Sequence, residues 1–150
     1  MKSILISLLV PFRLSKNGLE LWMQTRGEDG PLNGLLEFPG WKIEAGESFR
    51  EAAIREFEEE TGAKVGKVDS FKNYSHEYPD RSVKLFVFLS QMPQTCELDE
   101  DGWRRIDFDG PLRGLEDKIL SANHLLVSDL SRYFQEIWED GSWSELWPPL

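Results

Sequence analysis

Three glutamates, Glu56, Glu59 and Glu60, stand at spacings of three and four residues inside Gly40–Ala63, GWKIEAGESFREAAIREFEEETGA. Residues three and four apart share one face of a helix. A helix over 48–61 therefore projects the three carboxylates together. Glu58 points elsewhere, and Ala53, Ile54 and Phe57 turn toward a core. Like charges at these spacings destabilise an isolated helix. A cation that gathers them removes the conflict. Hard oxygen donors select Mg²⁺, Mn²⁺ or Ca²⁺ rather than zinc. For EFEEE alone, a solvated acidic helix face is the favoured explanation. The flanks add Glu47 in a glycine-bearing loop, Arg55 beside Glu56, and Gly62 where the helix would end.

Taken together, Glu47, Arg55-Glu56-Phe57, Glu59-Glu60 and Gly62 resemble the Nudix box of the Nudix hydrolases, G-x5-E-x7-R-E-U-x-E-E-x-G-U with U apolar. Six fixed positions from Glu47 to Gly62 match by chance on the order of 10⁻⁷ per starting position, at ~7% usage per residue. Two positions depart from the pattern. Trp41 stands where the box opens with glycine, although Gly40 precedes it, and Ala63 is a mild departure at an apolar position. The lead-in Leu35–Glu47, the Tyr78-Pro79-Asp80-Arg81 turn and Ser121-Ala122-Asn123 are similar to the MutT-like branch.

The resemblance implies an α/β fold, an α/β/α sandwich with a mixed central β-sheet. It implies metal-dependent cleavage of a nucleoside triphosphate to monophosphate and pyrophosphate, with 8-oxo-dGTP or dGTP as candidate substrates. The implied cofactor is Mg²⁺ or Mn²⁺. Glu56 and Glu60 would hold it, with the Gly40 carbonyl and Glu59 next. Glu47 or Glu97 would complete the set or act as general base, and Arg55 would orient a glutamate. Arg26, Phe38, Lys42 and Arg81 would contact substrate, and Asn123 would read the purine edge. Asn123 would serve equally as a helix N-cap, and Lys42 as a plain solvated lysine. Other Nudix activities stay open: nucleoside diphosphate sugar hydrolysis, or removal of pyrophosphate from RNA 5′ ends. So does a non-catalytic Nudix-fold nucleotide-binding protein, the reading that Trp41 favours. The expected course for Trp41 is ordinary φ with the ring outward. The alternative is a ring that covers the site.

These residues need elements to position them. Ser3–Arg13 and Leu19–Arg26 read as strands about an Asn17-Gly18 turn. A signal peptide is the competing reading of Ile4–Phe12, but no small-x-small cleavage site follows. Leu35–Phe38 is a short strand ending at Pro39-Gly40. Ser48 with Glu51 forms a capping box for the acidic helix, and Gly62 is its C-terminal stop. Further strands are expected at 65–76, 82–90 and 103–108. A helix is expected over Ala122–Trp138, and an irregular tail packed on the body from Glu139. The 150 residues fit one domain.

Composition narrows the partners. The net charge of −10 speaks against nonspecific nucleic-acid binding. It leaves room for one small polyanion held through a metal. The partner expected is a small nucleotide, with no nucleic acid duplex and no membrane, in a cytoplasmic monomer or homodimer. Cys96 is the sole cysteine, so no intramolecular disulfide is possible. In an acidic loop without a basic neighbour in sequence it is not expected to act as a nucleophile. His76 and His124 lack metal-ligand spacing and read as surface or structural.

Overall fold

The computed structural model describes residues 2–15, 18–27, 30 and 32–150. Its strands are β1 (Lys2–Ser15), β2 (Gly18–Trp22), β3 (Gln24–Thr25), β4 (Leu36–Glu37), β5 (Gly40–Lys42), β6 (Val68–Glu77), β7 (Arg81–Gln91) and β8 (Trp103–Ile106). Its helices are α1 (Phe49–Thr61), α2 (His124–Glu139) and α3 (Trp143–Leu146). Among the described residues the main sheet runs β6-β7-β1-β2-β8, with β5 also on β1. β1 and β7 pair in parallel from Lys2↔Arg81 to Phe12↔Gln91, and the other pairings are antiparallel. The sheet is therefore mixed, as expected. Asn17 of the anticipated turn, and Glu28, Asp29 and Pro31 of the following loop, lie outside the described residues.

Central strands covered on both faces read as near-continuous apolar runs, and β1 shows why. Leu8, Val10, Phe12 and Leu14 join one cluster with Leu126, Leu130 and Phe134 of α2. Leu9 points the other way, into a cluster with Ala53 and Phe57 of α1 and with Trp22, Phe88 and Trp103. One helix thus lies on each face of the sheet. The apolar run after Lys2 is a central strand rather than a free hydrophobic segment. No helix among the described residues is long and apolar enough to cross a membrane.

The acidic helix is bounded as its sequence predicts. Ser48 Oγ accepts from Glu51 N at 3.0 Å, and Ser48 N donates to Glu51 Oε1 at 3.1 Å. Gly62 closes the helix at φ 76°, its N–H bonded to the Glu58 carbonyl.

Several expectations need correction. The strand expected over 19–26 breaks at Met23, whose side chain is buried and whose N–H bonds the Gly102 carbonyl at 3.0 Å. Extended structure does not end at Pro39-Gly40 but resumes as β5 over Gly40–Lys42, because β1 has an edge there that β2 does not cover: Ile6↔Lys42, Ser7↔Trp41 and Leu8↔Gly40 pair. The last long helix begins at His124, after a 3₁₀ turn at Ser121–Asn123. The tail contains one helical turn, α3, rather than being irregular throughout. Trp147 is buried edge-on against Phe12, donates to Tyr133 Oη at 3.1 Å, and lies under the Lys67 ammonium.

Candidate active site

Arg55 is the hub of the acidic helix. Its Nε and Nη2 donate to the two oxygens of Glu47 at 2.6 and 3.0 Å. Its Nη1 donates to Glu56 Oε1 at 2.8 Å and Glu59 Oε2 at 3.2 Å, with Glu44 at 3.6 Å. The bonds to Glu47 and then Glu56 raise the guanidinium further above its usual range. The Arg55 bond and the Glu44 N–H hold the Glu47 carboxyl below the usual carboxylate range. Both Glu47 oxygens are engaged.

Glu60 has different partners. Its Oε2 accepts from Gly40 N at 3.1 Å and Gln24 Nε2 at 3.3 Å, reaching β5 and β3. The residue keeps much of its surface in solvent, but the carboxylate end is turned against these strands. Lost solvation there, with the charges of Glu56 and Glu37, pushes it from 4.5 up to about 7, against the opposing bonds from Gln24 and Gly40.

The helix spacing puts the acids on one side, but among the described residues no three His, Cys, Asp or Glu side chains are gathered as a metal cage. Arg55 supplies positive charge to Glu47, Glu56 and Glu59, and N–H groups satisfy Glu60. The donors still fit a hard divalent cation. All are oxygens, Glu56 and Glu59 each bond Arg55 through one oxygen of two, and Glu60 sits where added positive charge would favour its ionised form.

Trp41 follows an ordinary backbone course. Among the described residues no residue other than glycine has positive φ, and Trp41 pairs with Ser7 in β5. Its side chain is exposed at 43% and borders the cavity described next. Trp41→Gly is expected to change metal-dependent turnover by less than about tenfold, ~1.4 kcal/mol. A large gain in steady-state rate would show instead that the ring obstructs the site.

A cavity of about 350 Å³ brings together Arg26, Phe38, Gly40, Lys42, Arg81 and Asn123, drawn from four separate segments. Its floor is Ile4, Ile6 and Leu8 of β1 with Val83 and Leu85 of β7. Arg26 Nη1 is bonded to Glu37 Oε2 at 2.8 Å on the same wall. Arg81 lies over the Tyr78 ring, 4.8 Å from its centre. Asn123 is 3% exposed and makes no side-chain capping bond to α2. Its amide is not spent on the helix end. Glu37 and Tyr78 were missed as candidates from sequence. The alternation of Ile4, Ile6 and Leu8 was the available sign of the floor.

A second cavity, about 490 Å³, contains Glu60 and Glu97 with Gln24, Thr25, Asp99, Asp101 and Arg104. The Gly40–Glu60 hydrogen bond joins the walls of the two cavities. His76 packs edge-on against Tyr78, and His124 Nε2 lies 3.0 Å from the Ile119 carbonyl. Cys96 does have a basic neighbour, brought by the fold: Arg13 of β1 lies near it.

The NUDIX domain model matches residues 7–114. An 8-oxo-dGTP diphosphatase of Escherichia coli is 37% identical over 70 residues, 47% of this chain and 54% of that protein. One from Buchnera aphidicola is 32% identical over 102 residues, 65% of this chain and 78% of that protein. The aligned part thus spans about half the length of the Escherichia coli relative. Among solved structures, MutT from a study of Aliivibrio salmonicida and Vibrio cholerae superposes with a TM-score of 0.62 at 24% identity, covering 89% of this chain and 100% of that one. That likeness speaks to the fold. The box residues, the two-sided mixed sheet and a family model spanning most of the chain agree, and this protein belongs to the NUDIX family.

Proposed function

We propose that this protein is a metal-dependent pyrophosphohydrolase that cleaves a guanine-type nucleoside triphosphate, 8-oxo-dGTP or dGTP, to monophosphate and pyrophosphate. One observation carries the reading. A buried, uncapped Asn123 amide shares a cavity with Arg26, Lys42 and Arg81, and that cavity adjoins Glu60 through Gly40. An amide offers both a donor and an acceptor, which suits a guanine edge. Relatives named as 8-oxo-dGTP diphosphatases support the same substrate class.

The residues divide the work. Glu56, Glu59 and Glu60 would hold the cation, with the Gly40 carbonyl and Glu97. When bound, Mg²⁺ or Mn²⁺ supplies charge neutralisation at the phosphoryl oxygens. Arg55 fixes the carboxylates of Glu56 and Glu59, and Glu47 anchors Arg55. Glu47 is thereby a poor proton acceptor, since both its oxygens are engaged and the Arg55 bond holds its carboxyl below the usual carboxylate range. Glu56 has one oxygen on Arg55 and would have the other on the cation, so the proton of the attacking water would pass to Glu97, through the oxygen that does not face the cation. Arg26, Lys42 and Arg81 hold phosphate oxygens, and Phe38 flanks the base.

The test is product analysis across a nucleotide panel with Mg²⁺. Pyrophosphate from guanine triphosphates supports the reading. Cleavage of nucleoside diphosphate sugars or RNA 5′ ends alone places the protein elsewhere in the family. Binding without turnover makes it a nucleotide-binding protein. Asn123→Ala is expected to raise KM for guanine nucleotides by about tenfold, the ~1.4 kcal/mol of a hydrogen bond lost from a buried base edge. Pyrimidine nucleotides should change less. Equal shifts for both would make Asn123 structural.

A further inference from the structure

The loop from Met92 to Gly102 carries Glu97, which is exposed at the cavity it shares with Glu60. An exposed carboxylate on a loop keeps a fixed position only if the backbone on either side is held. On the C-terminal side, Trp22 Nε1 donates to the Asp99 carbonyl at 2.8 Å, and Leu98 is buried. On the N-terminal side the holder is Arg13. This arginine lies in the central strand β1 and is 6% exposed. Its Nη2 donates to the Gln94 carbonyl at 3.1 Å and to Glu100 Oε1 at 2.9 Å. Cys96 lies near the guanidinium, which is stacked over the Trp103 ring, 3.9 Å from its centre.

Stability alone does not account for such a residue. A buried cation carries a desolvation cost, and an apolar side chain of similar volume is often as stable or more so. The hydrogen bonds of Arg13 go to residues 94 and 100, which bracket Glu97, while its Nη1 lies 3.9 Å from Glu20 Oε1 on β2. Its planar fork can hold several acceptors at once, as a lysine cannot.

We propose that Arg13 is a positioning residue: it clamps the 92–102 loop so that Glu97 is presented to the cation held by the acidic helix. The inference rests on Glu97 being a ligand, as proposed above.

The experiment measures Mn²⁺ binding to the full chain by electron paramagnetic resonance of the free ion, with no nucleotide present. Four variants are compared with wild type: Arg13→Met, Arg13→Lys, Glu97→Gln, and Arg13→Met with Glu97→Gln. Arg13→Met is expected to weaken Mn²⁺ binding by about tenfold, typical for a group that orients a ligand. Arg13→Lys keeps the charge and stem and should recover part of that loss. It also keeps the test open if Arg13→Met does not fold. In the Glu97→Gln background, Arg13→Met should add little, because the residue it positions no longer binds. Unchanged Mn²⁺ affinity in both Arg13 variants, or losses that add in the double variant, overturn the proposal while leaving Glu97 a ligand. A Glu97→Gln variant that binds Mn²⁺ as wild type does sinks the ligand reading itself, and the proposal with it.

Discussion

Glu56→Gln and Glu60→Gln should each lower turnover at saturating Mg²⁺ by about 10³-fold, the several kcal/mol a charge-neutralising cation supplies in the transition state. The fold should survive both changes. Glutamine keeps the shape and one acceptor oxygen, and it removes the negative charge the cation needs. Without metal, the two variants should differ from each other. Glu56 Oε1 is bonded to Arg55 at 2.8 Å, so its loss leaves a guanidinium short of a partner. Glu60 is crowded by Glu56 and Glu37, so its loss relieves repulsion. The pH dependence of stability takes its sign from Glu60. The folded protein raises Glu60 from 4.5 to about 7, so ionising it opposes folding. That penalty is absent below pH 4.5, grows as pH rises toward 7, and is complete above it. In EDTA, Glu60→Gln should therefore gain in Tm over wild type as pH is raised through this window. Adding Mg²⁺ should reverse the order, because the ion stabilises the protein that binds it better. Near-wild-type turnover in either variant, or a Tm difference that does not move with pH, would contradict this assignment.

What the sequence disclosed was local. The capping box at Ser48 and Glu51 and the stop at Gly62 involve residues within one turn of each other, so α1 could be bounded without tertiary information. The apolar run of β1 and the β-branched run of β7 announced two central strands. What stayed hidden was long-range. β5 has three residues and no periodicity, and it exists because β1 has an unpaired edge beside it. The partners of Arg55 lie within eleven residues along the chain, and most were legible. The loop partners of Arg13 lie 81 and 87 residues away, which is why Cys96 read as having no basic neighbour. Asn123 was an ambiguous residue in sequence, either cap or ligand contact. The 3₁₀ turn before α2 ends at Asn123, which stands at the N-cap position without a side-chain capping bond and also lines the cavity.

Gly40→Ala should be the most destabilising single-methyl change in the site. Gly40 sits at φ 154°, and a Cβ there would lie 2.2 Å from the Ser7 carbonyl oxygen and 2.8 Å from Leu8 Cα. Both atoms belong to the backbone of β1, which its long parallel ladder to β7 holds in place. The neighbour cannot yield, so β5 must move. That movement breaks the Gly40 bond to Glu60 and strains the adjoining Leu9 N–H bond to the Pro39 carbonyl at 3.0 Å. A cost of about 3–4 kcal/mol is expected from a backbone clash of this kind. At this chain length that corresponds to a Tm lower by roughly 6–16 °C. Gly46 provides the control. It has φ 84°, and a Cβ added there would find nothing within 4 Å, so Gly46→Ala meets conformational strain alone. That strain costs about 1–2 kcal/mol. Gly40→Ala should also lose turnover beyond its loss of stability, since the strand that orients Glu60 is displaced, whereas Gly46→Ala should not. If the two variants unfold at the same temperature, the close approach of β5 to β1 is not what demands glycine at position 40.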